Sequence, residues 1–177
     1  WWKNGYPEYF AKVLNAVNWI GVHIRINGES LDLHSTPVTN FLRVLDMKHG
    51  LLIREFEVSP FSGGMLTFRF ERFCSMADPD TAAIQISIQS TEFKGEVTLE
   101  PYLDFDVHNK DSNYGDHFWT SFDSGLNQNY GWVSAKTKKT NFQVSSFMAT
   151  TLKQNGEQVA FTPTVQEPKS VTRPYTV

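Results

Sequence analysis

The chain has 177 residues, 40% hydrophobic and 20% charged, an ordinary globular composition for one domain or a large piece of one. Its net charge of −3 is too weak, and of the wrong sign, for a nucleic-acid binder. Cys74 is the only cysteine, which excludes an intramolecular disulfide, and no apolar run approaches the roughly 18 residues of a membrane-spanning helix.

The chain opens "WWKNGYPEYF", without Met and without a basic-then-apolar leader. Two Trp at the very start suggest a piece excised from a longer protein. Glu8 to Asn15, "EYFAKVLN", is a short helix candidate. Ile20, Val22, Ile24 and Ile26 then alternate with polar residues or Gly, the mark of a strand with one face on a core. Asn27-Gly28 is a two-residue hairpin signal. From Phe41 to Val58, "FLRVLDMKHGLLIREFEV", two apolar-rich runs flank a hydrophilic break, Asp46 to Gly50, read as a turn between strands. On the second run Leu52, Arg54, Phe56 and Val58 share one face, and Ile53, Glu55 and Glu57 the other. "SPFSGG", Ser59 to Gly64, is a further turn.

Alternation returns at Leu66, Phe68 and Phe70, at Ala82, Ile84, Ile86 and Ile88, and at Val97, Leu99 and Leu103. Cys74 sits beside the first of these runs and reads as a buried, inert thiol rather than a nucleophile. Asp78-Pro79-Asp80 is a turn. Asp104 to Asp116, "DFDVHNKDSNYGD", is long, acidic and turn-rich, and "HFWTSFDSGL" from His117 is a weaker helix candidate. "KTKKT", Lys136 to Thr140, is a solvated strand end or a phosphate site. Phe142, Val144, Ser146 and Met148 form another alternating run, and Asn155-Gly156 another hairpin turn. Pro163, Pro168 and Pro174 mark the tail as a linker or edge strand. The spacing predicts an all-β antiparallel sandwich with little helix, over residues 1–162, followed by a tail over 163–177.

Chemistry-bearing patterns are sparse. There is no Gly-x-Ser-x-Gly elbow and no Gly-rich phosphate loop leading into a helix; Gly63-Gly64 joins two strands. His108 and His117 flank Asp111 and Asp116, which makes that loop a cation candidate as well as a solvated loop. Asp104, Asp106, Asp111 and Asp116 are the residue type that cleaves glycosides, but a general acid needs a buried, apolar setting and this segment reads as exposed. Tyr114, Phe118, Trp119 and Trp132 could stack on a sugar face, or pack at a sandwich end or interface. Residues alone thus leave the function open.

The stretch Arg43 to Phe56, "RVLDMKHGLLIREF", resembles a motif in the N-terminal sandwich domain of glycoside hydrolase family 65, which holds maltose, trehalose and kojibiose phosphorylases. Leu45, Asp46, Met47, Gly50, Leu51 or Leu52, Arg54 and Phe56 carry the likeness. Tyr9 to Leu33, Phe70 to Asp80 and Tyr130 to Ser146 are similar to further family stretches in the same order. The start most resembles the maltose phosphorylase branch, although Val17 stands where that branch has Pro.

The resemblance implies a galactose-mutarotase-like supersandwich, incomplete at its N-terminus. It implies a parent enzyme that phosphorolyses an α-glucose disaccharide with inversion, giving β-glucose 1-phosphate, with inorganic phosphate as co-substrate and no cofactor. In the family the catalytic Glu belongs to a C-terminal (α/α) barrel, so no catalytic residue is carried over and no metal is expected. The sandwich would support that barrel, take part in a homodimer and touch the disaccharide at most from a rim loop, in a cytoplasmic protein. Asn113, Tyr114, His117, Phe118 and Trp119 are the expected rim or interface loop. Leu45, Asp46, Met47, Gly50 and Arg54 are the expected structural signature. The alternative is a free-standing carbohydrate-binding module.

Overall fold

The computed structural model describes residues 13–108, 117–127 and 130–159, with the strand backbone of 166–167, 170–172 and 175–176. It is an all-β protein built of antiparallel sheets, as the two-residue rhythm requires, with no helix among the described residues. The strands run β1 (Val22–Ile26), β2 (Glu29–Ser30), β3 (Thr39–Asp46), β4 (Leu51–Val58) and β5 (Met65–Cys74). They continue with β6 (Ala82–Thr91), β7 (Val97–Asp104), β8 (Trp119–Leu126), β9 (Tyr130–Thr137) and β10 (Gln143–Ala149). Short strands follow: β11 (Leu152–Gln154), β12 (Glu157–Val159), β13 (Gln166–Glu167), β14 (Ser170–Thr172) and β15 (Tyr175–Thr176). The chain forms two compact units, Ile24–Val97 and the combination of Trp1–His23 with Thr98–Val177. No helix among the described residues is long and apolar enough to cross a membrane.

In the Ile24–Val97 unit, β3, β4, β5 and β6 form one sheet in chain order. Cross-strand partners lie on one face, so the register collects Phe56 with Phe68, and Phe70 with Ile86, onto a single side. Phe56, Leu66 and Phe68 are fully buried there. The Phe56 ring stacks on Phe68 at 5.3 Å and on Phe70 at 6.0 Å. The opposite face is polar: Arg69 donates to Glu55 Oε2 and Glu71 Oε1, each at 2.8 Å. β3 carries a bulge between Thr39 and Leu42, where Asn40 has φ 51° and its amide donates to Glu57 at 2.6 Å. Asn27-Gly28 closes β1 onto β2 with φ of 51° and 84°, both positive as the two-residue turn demands. The Asn27 side chain also accepts the Glu96 N–H at 2.9 Å and donates to Ser62 Oγ at 2.9 Å.

In the other unit, β9 lies between β8 and β10. Val133, Ser134 and Ala135 are consecutive buried residues, so both faces of β9 are covered at this point. The buried Ser134 hydroxyl is satisfied by the Ser145 hydroxyl on β10 at 2.8 Å. Leu103, Phe105, Val133 and Ala135 form the core, with Val17, Trp19, Trp119, Val144 and Met148 packed against it. β7 pairs with β14 and β15, and Asn18 exchanges both backbone hydrogen bonds with Asp104. Asn155-Gly156 closes β11 onto β12.

Two expectations change. The helix from His117 is strand: Trp119–Leu126 is β8, paired along its length with β9. A bulge between Ser121 and Asp123 resets the phase of the alternation, so its period of two was hidden in the sequence. Cys74 is exposed, not buried, because it ends β5 opposite Ala82, where the apolar face is no longer covered. The other helix candidate, Glu8 to Asn15, lies outside the described residues except for Val13–Asn15, which are not helical.

Truncating Phe68 removes the centre of the stacked ring trio. Phe68→Ala is expected to cost about 3–5 kcal/mol in urea unfolding. Phe122→Ala, at an exposed position of β8, is expected to stay within about 0.5 kcal/mol of the parent.

Candidate functional site

The break between β3 and β4 is a side-chain-capped turn. Asp46 Oδ1 accepts the N–H groups of Lys48 and His49, each at 3.1 Å, and Asp46 Oδ2 meets His49 Nδ1 at 2.7 Å. Gly50 leaves the turn with φ 68°, a region that L side chains rarely adopt. The hydrogen bond from the His49 side chain, above all, and those from the turn N–H groups hold the Asp46 carboxyl below its ordinary value of 3.8. Leu45 and Met47 on either side are 64% and 84% exposed. Arg54, further along β4, lies with its guanidinium carbon 4.3 Å from the Phe70 ring centre and 5.9 Å from that of Phe56. Four of the signature residues therefore cluster at one turn, and Arg54 stands on the sheet that the turn registers.

The rim-loop candidates divide. Asn113 and Tyr114 lie outside the described residues. His117 Nδ1 meets Asp106 Oδ1 at 2.8 Å, and its ring lies 4.0 Å from that of His108. Phe118 is buried. Trp119 opens β8, donates its indole N–H to Asn15 O at 2.7 Å and tilts against Phe105 at 5.3 Å. Phe118 thus belongs to the buried interior of its unit, and Trp119, partly buried, packs against the core there.

The other candidates are placed as follows. Asp104 Oδ1 accepts the Asp106 N–H at 2.7 Å, so one carboxylate of the expected acidic set caps its own turn. Asp111 and Asp116 lie outside the described residues. Among the described residues no group of three or more His, Cys, Asp or Glu could hold a metal ion. In "KTKKT", the Lys138 N–H donates to Phe118 O and the Phe142 N–H to Thr137 Oγ1, both at 2.9 Å, which makes this segment the β9–β10 connection.

Two groupings escaped the sequence. Tyr130 and Phe147, 42% and 65% exposed, pack around Trp132 on the β9–β10 ladder, with ring centres 5.9 Å (Tyr130–Trp132) and 6.1 Å (Tyr130–Phe147) apart. Only the register puts Phe147 opposite Trp132. Asp123 Oδ2 holds the Trp132 indole N–H at 2.8 Å, and a Cβ at Gly125 would overlap the ring, so the absence of a side chain there makes room for it. The second grouping, Arg43 opposite Arg54, follows from counting outward from the Asp46–Leu51 pair.

The model of the glycosyl hydrolase family 65 N-terminal domain matches residues 1–177. A maltose phosphorylase of Bacillus subtilis (strain 168) is 40% identical over 147 residues, 83% of this chain and 19% of that protein. A kojibiose phosphorylase of Thermoanaerobacter brockii is 26% identical over 80% of this chain and 19% of its own. An α,α-trehalose phosphorylase of the same organism is 28% identical over 77% and 20%. A solved structure assigned as a kojibiose phosphorylase from human microbiome superposes with a TM-score of 0.78 at 26% identity, covering 92% of this chain and 20% of that one. The chain spans about a fifth of the length of the curated relatives it matches.

Two outcomes follow from this geometry. A carboxylate with a lowered folded value contributes stability that is full above its unfolded value and is lost as pH falls through the folded one. The parent is therefore expected to be more stable than Asp46→Asn at neutral pH, with the difference shrinking below 3.8 and vanishing in stronger acid, read from urea midpoints across pH. Trp119→Ala, which removes the Phe105 contact and the bond to Asn15, is expected to cost about 3 kcal/mol in the same measurement.

Proposed function

Because the chain belongs to glycosyl hydrolase family 65, as its N-terminal domain, we propose that it is the non-catalytic sandwich of a longer cytoplasmic phosphorylase. The parent reaction is inverting phosphorolysis of an α-glucose disaccharide such as maltose, giving β-glucose 1-phosphate and glucose. The catalytic acid sits in a C-terminal barrel of the same polypeptide, inorganic phosphate is the co-substrate, and no cofactor takes part. The sandwich supports that barrel and contributes to a homodimer.

One observation carries the reading: the 40% identity to a maltose phosphorylase extends over most of this chain but only a fifth of that protein. The placement of the carboxylates agrees with a supporting role. Asp46, Glu55, Glu71, Asp104 and Asp106 are each engaged in a turn or an ion pair of the fold. Arg69, between Glu55 and Glu71, has its own value raised by Glu71 first and Glu55 second, as in an ion-paired surface bracket.

A second reading, the free-standing carbohydrate-binding module, draws on Tyr130, Trp132 and Phe147. Aromatic rings partly open to solvent and held by a sheet are what a sugar face stacks on.

The test uses the full-length gene product and the 177-residue chain side by side. The full-length protein is expected to release glucose 1-phosphate from maltose plus phosphate, and the chain alone to release none. Turnover by the chain alone, or hydrolysis without phosphate uptake by the full-length protein, overturns the proposal. Calorimetry of the chain with maltose separates the second reading: binding tighter than about 1 mM, roughly −4 kcal/mol, that is lost in Phe147→Ala favours the module.

A further inference from the structure

Three arginines meet on one face of the β3–β6 sheet. Arg43 and Arg54 are direct cross-strand partners, and Arg72 faces Leu52, one alternation along from the Arg54–Phe70 pair. Like charges placed directly opposite repel across a ladder. Arg54 is half-buried, its Nε is enclosed, and that nitrogen has no hydrogen-bond partner among the described residues. Burial first, and then Arg72 and Arg43, push the Arg54 guanidinium below its ordinary value.

The acids of these strands lie elsewhere. Glu55 and Glu71 are on the opposite face with Arg69, Glu57 is bonded to Asn40, and Asp46 to its own turn. None of the ion pairs found among the described residues involves Arg43, Arg54 or Arg72. A partly desolvated cation without an acid is costly unless a partner supplies one.

The surroundings say what kind of partner fits. At Phe56 and Phe68 this face is fully covered, and beyond Arg54 it is not. Leu45 is 64% exposed and Phe41 is 52% exposed, while Leu52, Ile84 and Ile86 are half-buried around the arginines. A free inorganic anion would neutralise the charge and leave these side chains in water. A polypeptide segment with carboxylates among apolar residues satisfies both. The match covers only 19% of the maltose and kojibiose phosphorylase relatives, which shows how much polypeptide such a protein has to supply it.

We propose that this face is the docking site for a segment of the same polypeptide outside the 177 residues, whose Asp or Glu carboxylates pair with Arg54, Arg43 and Arg72 while apolar neighbours cover Phe41 and Leu45. This rests on the reading of the chain as one domain of a longer phosphorylase. It adds to that reading the surface, the residues and the charge of the partner.

The experiment uses full-length protein carrying Arg43→Lys, an exposed position where the change keeps the charge and adds an amine. Unlabelled and 15N-labelled protein are mixed, treated with a water-soluble carbodiimide, and the cross-linked peptides are identified by mass spectrometry. The expected result is an amide between the introduced amine and an Asp or Glu beyond the 177 residues, within one isotopic chain. A link to a mixed-isotope partner makes the face a dimer contact and overturns the proposal. A link to an acid within the 177 residues, or no link, also overturns it. Phosphorolysis measured on the same preparations separates the two levels: activity with no such link sinks the docking site alone, whereas an inactive parent protein sinks the proposed function beneath it.

Discussion

Every second side chain of a strand points to the same face, and an apolar face has to be covered by something. That constraint organises the Ile24–Val97 unit. Phe56, Val58, Leu66, Phe68 and Phe70 are buried because β4 and β5 are registered so that their apolar positions coincide. The same register carries the apolar face on to Leu52 and Leu45, where burial fades. A strand cannot change face midway without a bulge, so the uncovered end is a direct consequence of the covered one. In the other unit β9 meets the constraint differently: with both faces buried at Val133, Ser134 and Ala135 it does not alternate there, and its one polar residue is satisfied by Ser145.

Charge follows the same partition. On one side of the β4–β5 pair, Arg69 is bracketed by Glu55 and Glu71, a closed local arrangement. Being exposed, such pairs contribute little to stability. On the other side Arg54 has two cationic neighbours and two aromatic rings. The Phe70 ring face offers a guanidinium some compensation, but a ring does not replace an acceptor for an enclosed N–H. The asymmetry between the two faces is therefore energetic as well as compositional. One face is complete within the unit, and the other is written for a partner.

Much of this was legible in the amino-acid order. The strands around Ile24, Phe68, Ile86, Leu99 and Val144 announced themselves by alternation, and the Asn27-Gly28 and Asn155-Gly156 turns by the need for two positive φ values. Family membership was legible from Leu45 to Phe56. β8 was not, because its bulge breaks the period that reveals a strand and because Phe118 and Phe122, four apart, imitate a helix face. The exposure of Cys74 was not legible either: a residue beside an apolar run reads as buried unless one knows where the cover stops. Pairings between distant segments, such as Trp119 with Phe105 or Phe147 with Trp132, depend on which strands become neighbours, and no local pattern states that.

The Asp46 turn links these threads. Its two backbone acceptor bonds, the His49 contact and the positive φ of Gly50 define where β3 ends and β4 begins. Counting back from that point places Leu45 opposite Leu52 and Arg43 opposite Arg54. A slip of one residue would send Arg43 and Leu45 to the face occupied by Ile53, Glu55 and Arg69, away from Leu52 and Arg54. The Leu45-Asp46-Met47 stretch is thus a register device, and what it registers is the composition of the uncovered face. On this argument the residues by which the chain is recognised need no ligand of their own: they decide which arginines and which apolar side chains a partner segment meets.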